Sequence, residues 1–134
     1  MAKHIIRKIL LVEDNPGYLI AIKLLLELKG YAVCTANNEM DAATMATSEK
    51  FDLILMDYQM PLMDGIRSAK LIRETDKDVF IISISLRNDD EYIDKCRACG
   101  MNGHFHKSAI IKTIENSPFK AVFDFLNEND NVIK

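Results

Sequence analysis

The sequence predicts an α/β domain: a five-stranded parallel sheet with five helices on its two faces. Three observations predict it. Short apolar runs alternate with helix-length stretches from one end of the chain to the other. Two of those runs, residues 9–12 and 53–56, are rich in Leu, Ile and Val without polar alternation, as strands buried on both faces read. Both end abruptly at acids, with Glu13 and Asp14 after the first and Asp57 after the second. The 134 residues suit one domain, 1–134, with a core of its own, and 49% hydrophobic residues argue against a disordered chain.

The first strand is expected at 7–12. Asn15 can cap, and Pro16 can take the first position of, a helix that runs to Lys29 and stops at Gly30. A second strand at 32–35 leads to a helix that starts at Asn38 and reaches Ser48. The third strand, 52–56, precedes a loop over 58–64, with Pro61 and Gly65 as breakers, and then a helix over 66–74. The fourth strand, 79–84, is apolar almost throughout. Asn88 with Glu91 reads as a capping box for a helix ending at Gly100. A fifth strand is expected at 104–106. Ser117 and Pro118 look like the cap and first residue of a last helix over 119–127.

This alternation argues for parallel pairing through right-handed crossovers. Ligands bind such sheets at the carboxyl edge. If the first and third strands are neighbours, Glu13, Asp14 and Asp57 share a crevice there. Like charges at that range repel, so the cluster calls for a divalent cation or a shared proton. The chemistry is expected at Asp57.

The set Val12-Glu13-Asp14-Asn15, the stretch from Met56 and Asp57 through Gln59, Met60 and Pro61 to Met63, Asp64 and Gly65, then Ser85 and Lys107, resembles a response-regulator receiver domain. The resemblance runs to about residue 127, and the spacings from Asp57 to Ser85 and from Ser85 to Lys107 agree with it. It implies a doubly wound, flavodoxin-like arrangement. It makes Asp57 the acceptor of a phosphoryl group from a phosphohistidine on a sensor histidine kinase or a histidine phosphotransfer protein. Mg²⁺ would be bound by Asp14, Asp57 and the main-chain carbonyl of Gln59, with Glu13 acting through a metal-bound water. Ser85 takes the place of the switch hydroxyl, and Lys107 that of the charge partner for the phosphoryl oxygens. The switched surface would be the face of the fourth helix, fifth strand and fifth helix.

The chemistry fits those residue types. A carboxylate attacking phosphorus needs its target's negative charge neutralised, which a metal and a lysine do. Asp57 would be a nucleophile that forms an acyl phosphate. The new charge and acceptor oxygens would engage Ser85 and Lys107 and bias a two-state surface. Three positions depart from the commonest receiver pattern. Ser108 follows Lys107 where proline is usual; a cis bond without proline costs about 2.5–4 kcal/mol, so a trans or a strained bond is expected. Ser85 replaces the more frequent threonine. His104 stands where a mobile aromatic residue is common, and its charge would make the switch pH-sensitive. Ile110, Ile111 and Ile114 would add a helical turn before the last helix.

Other readings weigh less. Cys96 and Cys99 form a C-x-x-C near His104 and His106, a zinc or redox spacing. Both thiols fall late in an amphipathic helix, where they would act as small hydrophobes. Ser83 reads as a core-facing small residue. A Mg²⁺-dependent phosphatase with an aspartyl-phosphate intermediate needs an acid two residues after the nucleophile, and Gln59 cannot donate a carboxyl proton. A flavin phosphate would be repelled by the acidic loop after the first strand.

A net charge of −3 argues against a nucleic-acid surface, and no apolar stretch reaches membrane-spanning length. Three cysteines suit a reducing cytoplasm, and Met1 leads into a strand without a signal peptide. Met1 favours an independent chain over a piece of a hybrid kinase. With no effector domain expected after the last helix, output would pass to an unknown downstream protein target.

Overall fold

A computed structural model describes residues 6–58, 62–87 and 89–115. Its elements run β1 (Lys8–Val12), α1 (Pro16–Leu28), β2 (Ala32–Ala36), α2 (Glu39–Ser48) and β3 (Leu53–Tyr58). They continue with α3 (Leu62–Thr75), β4 (Phe80–Ser85), α4 (Asp90–Ala98), β5 (Gly103–His106) and α5 (Lys107–Glu115). The strands form one parallel sheet in the order β2-β1-β3-β4-β5. The expected α/β class and the strand–helix alternation are both present.

Strand residues alternate between two cores. Leu10, Val12, Ile54, Met56 and Ile81 pack with α2, α3 and α4 through Ala42, Ala69, Ile72, Tyr92 and Cys96. Ile9, Leu11, Leu53, Leu55, Ile82 and Ile84 pack with α1 and α5 through Ile22, Leu26, Ile110 and Ile114. Each fully buried Leu or Ile side chain contributes roughly 1.5–3 kcal/mol, so both sheet faces must be covered. This explains why the runs read as continuously apolar.

Local chemistry sets the helix ends. Asn15 caps α1 by accepting from the Tyr18 N–H, and Pro16 follows at its first position. Gly30 turns the chain out of α1 at φ +96°, a conformation that costs other residues dear. Asn38 caps α2 by accepting from the Asp41 N–H.

Four boundaries correct the sequence expectation. β3 continues through Asp57 to Tyr58, because pairing with β4 persists beyond the apolar run (Asp57↔Ile84, Tyr58↔Ser85). α3 starts at Leu62, with Gly65 inside it. A helical glycine costs only about 1 kcal/mol, which packing of Ala69 and Ile72 outweighs. Asp89, not Asn88, caps α4, accepting from the Tyr92 N–H while Arg87 grips its carboxylate. That grip holds the Asp89 pKa at about 2, so the cap is a full charge at the helix's positive end. Asn88 lies outside the described residues. The helical turn expected at Ile110, Ile111 and Ile114 is part of a longer helix, α5, which starts directly at Lys107, because Ile110 and Ile114 place one buried stripe on it. The helix expected over 119–127 lies outside the described residues. No cis peptide bond occurs among the described residues, so Lys107 and Ser108 are joined in trans.

Candidate functional site

Parallel registry brings four strand ends to one edge. Val12 pairs with Met56, which sets Glu13 and Asp57 at the same level on adjacent strands. Asp57 pairs with Ile84, and Ser85 pairs with both Tyr58 and His106. Lys107 follows directly as the first residue of α5. Of the expected ligands, Gln59 lies outside the described residues.

Glu13 and Lys107 meet although β3 and β4 lie between their strands. Lys107 Nζ stands 3.4 Å from Glu13 Oε1, with the side chains 2% and 0% exposed. Glu13 Oε2 accepts from the Asn15 N–H at 3.2 Å, and the Glu13 N–H donates to the Ala36 carbonyl at 3.0 Å. The carboxylate is thus fixed by the loop that starts α1. Asp14, the next residue, is exposed to solvent. The Lys107 ammonium also lies over the Tyr18 ring, 4.2 Å from its centroid.

These donors suit a hard divalent cation. Two carboxylates at the end of β1, Glu13 buried and Asp14 open to water, match an ion that keeps part of its hydration shell. Glu13, Asp14 and Asp57 are the residues that would hold it.

Ser85 is buried at the same edge, and its Oγ accepts from the Arg87 N–H at 3.0 Å. Behind it, on the α4 side, is a neutral polar cluster. Ser83 Oγ lies 2.5 Å from the Tyr92 hydroxyl and 3.4 Å from His104 Nδ1. The Tyr92 and His104 rings meet edge to face at 5.3 Å. Burial pushes the Tyr92 phenol above its usual range, while hydrogen bonding to Ser83 and Ser85 draws it back down. Burial, then His106, lowers the His104 pKa, and the Arg87 main chain raises it. Ser83 is core-facing, as expected, but serves as the hub of this cluster.

The C-x-x-C thiols lie in the core beside Tyr92. Burial raises both, Cys99 to about 11, so they stay protonated near neutrality. Metal and redox chemistry needs the thiolate. Among the described residues no three or more His, Cys, Asp or Glu gather to hold a metal.

Sequence reasoning did not find Tyr18 or Tyr92 as site residues. Tyr18 carried one usable signal, its place in the first turn after the acidic loop. Tyr92 carried none beyond helical periodicity.

The response regulator receiver domain model matches residues 9–117. The chain belongs to that family. Receiver domains are the phosphoacceptor modules of two-component and phosphorelay signalling, and this chain is one. It is similar to sporulation initiation phosphotransferase F of Bacillus subtilis, 30% identical over 110 residues, covering 82% of this chain and 89% of that protein. It is also similar to hybrid signal transduction histidine kinase E of Dictyostelium discoideum, 32% identical over 120 residues and 85% of this chain. That match spans 7% of the kinase's length. Among solved structures, the chemotaxis protein CheY4 of Vibrio cholerae superposes with a TM-score of 0.76 at 25% identity, covering 87% of this chain and 98% of that one.

Proposed function

We propose that Asp57 of this receiver accepts the phosphoryl group, in the cytoplasm, from a phosphohistidine on a sensor histidine kinase or a histidine phosphotransfer protein. The observation that carries this is the buried Lys107–Glu13 pair at the edge where β3 brings Asp57. A lysine buried at an acidic strand edge, at the start of α5, is a cation placed for an incoming anion.

A carboxylate oxygen of Asp57 attacks phosphorus, the P–O bond forms as the P–N bond breaks, and the leaving imidazole keeps its electron pair and takes a proton. Hydrolysis by water later returns the carboxylate and inorganic phosphate, with the protein catalysing its own two reactions. Mg²⁺ held by Asp14, Asp57 and the Gln59 carbonyl, with Glu13 through water, would neutralise charge on the transferring group. Lys107 supplies the fixed positive charge that needs no reorganisation. Ser85 donates its hydroxyl to a phosphoryl oxygen and gives up its hold on the Arg87 N–H. His104, two residue pairs behind Ser85 in the β4–β5 ladder, responds to that shift and alters the α4–β5–α5 face.

Partner docking is supported by α1. Ile20, Leu24 and Leu28 recur every fourth residue and are 55%, 53% and 81% exposed. The stripe leads away from the acidic edge, where a phosphohistidine carrier must approach. The net charge of −3 gives no electrostatic footprint for nucleic acid. No helix among the described residues is long and apolar enough to cross a membrane.

Intact mass after incubation with acetyl phosphate, with and without Mg²⁺, tests the reading alongside Asp57→Asn. One Mg²⁺-dependent phosphoryl adduct is expected on the wild type and none on the variant. An adduct that survives Asp57→Asn would move the acceptor elsewhere.

A further inference from the structure

Among its neighbours the Lys107 ammonium has Glu13 Oε1 at 3.4 Å and the face of Tyr18, 4.2 Å from its centroid. The ring comes from the first turn of α1 and the lysine from the first residue of α5. These helices cover the same sheet face, so the contact closes the top of their shared core.

Tyr18 is set in place independently of the lysine. Asn15 Oδ1 takes its N–H at 3.1 Å, and Pro16 fixes the backbone two residues before it. Its ring packs on the core that contains Ile22, Leu26, Ile110 and Ile114. The lysine stem, by contrast, has four rotatable carbons and no intrinsic reason to point at β1. A ring face beside the ammonium removes most of its alternatives, and the attraction strengthens as water is excluded.

We propose that Tyr18 is a positioning residue for phosphoryl transfer. Its ring holds the Lys107 ammonium at the acidic edge and shields it from water, so the charge meets the phosphoryl oxygens without rearrangement. The inference rests on Asp57 being the acceptor.

The test compares wild type, Tyr18→Phe and Tyr18→Leu in the full chain. The rate of adduct formation on Asp57 from acetyl phosphate at saturating Mg²⁺ is followed by intact mass, together with the thermal midpoint. Proton–carbon NMR of the Lys107 ε-methylene reports the ring's proximity without any phosphorylation. Wild type and Tyr18→Phe should agree within about twofold, because both keep a ring face. Tyr18→Leu should be phosphorylated about 3- to 30-fold more slowly, the range that a lost cation–π contact allows. The ε-methylene protons should be shifted upfield by the ring in the first two and not in the third.

A Tyr18→Leu protein phosphorylated at the wild-type rate, whatever its thermal midpoint, overturns the proposal and leaves Tyr18 a packing residue. Equal slowing in Tyr18→Phe and Tyr18→Leu overturns it too, since the ring face would not be what matters. An unshifted Lys107 ε-methylene in the wild type overturns it even if Tyr18→Leu fails to fold. No adduct on the wild type defeats the Asp57 reading itself, before any Tyr18 variant is made, and this inference with it.

Discussion

On the α1–α5 side the carboxyl edge is closed by charge; on the α4 side it is closed by neutral hydrogen bonds. Lys107, Glu13 and the Tyr18 ring make the first closure, and Ser83, Tyr92 and His104 the second. Both are buried, so both carry desolvation costs, yet they resolve them differently. The charged pair keeps two full charges out of water, which geometry and hydrogen bonding only partly offset. The neutral cluster moves its pKa values away from ionisation instead, with Tyr92 pushed up and His104 pushed down by burial. The comparison teaches where the fold keeps charge. At this edge it keeps buried charge on the α1–α5 side, beside the proposed acceptor, and uses neutral bonds on the α4 side.

Breaking the charged side should produce the largest effect. Lys107→Ala removes the buried cation from beside Glu13, and breaking a buried ion pair by removing one member costs about 3–5 kcal/mol. Urea unfolding without added divalent ions should show that loss. Replacing both residues, Glu13→Leu with Lys107→Met, removes both members of the buried pair and should restore most of the stability while abolishing phosphorylation. A double variant no more stable than Lys107→Ala would mean that the pair holds the fold rather than the chemistry.

Breaking the neutral side should cost less. Tyr92→Phe deletes one hydroxyl and leaves the ring against His104. Ser83 loses its nearest partner, and a buried group so deprived costs about 1–3 kcal/mol. The urea midpoint should fall without a change in the slope of the transition. Phosphorylation from a small donor should persist, since Tyr92 reaches the edge only through the Ser85 hydroxyl and not through Asp57 or Lys107. Loss of phosphorylation in a folded Tyr92→Phe protein would show that the two closures are one coupled network.

The two sides also differ in how far the sequence disclosed them. Glu13, Asp14 and Asp57 stood out because strand ends are one-dimensional signals, whereas Ser85 and Lys107 were singled out through the resemblance to receiver domains and its spacing. Alternation and the crossover rule pointed to a parallel sheet, but its order, which seats β1 beside β3, came from the structure. Tyr18 and Lys107 meet across two helices, and Tyr92 reaches Ser83 from α4, so neither contact has a local signature. The misplaced helix starts have a similar cause. Gly65 and Asn88 carry strong local preferences, but packing of α3 and the Arg87–Asp89 grip decided the boundaries.

The smallest expected effect sharpens the comparison through pH. His104 faces Ser83 on β4 and Tyr92 on α4; His106 lies along its own strand, and Arg87 contributes through its main chain. Its folded pKa is lowered from 6.5, with burial as the largest cause. The unfolded chain therefore takes up the proton first as pH falls. Stability from neutral His104 is complete above about pH 6.5 and is lost as pH falls toward the folded value. Urea midpoints between pH 7.5 and 5 should decline for the wild type and decline less for His104→Phe, which keeps a ring against Tyr92. Parallel declines in both proteins would assign the pH response to other groups. A flattened profile in His104→Phe would mark the neutral closure as the one that protons can loosen.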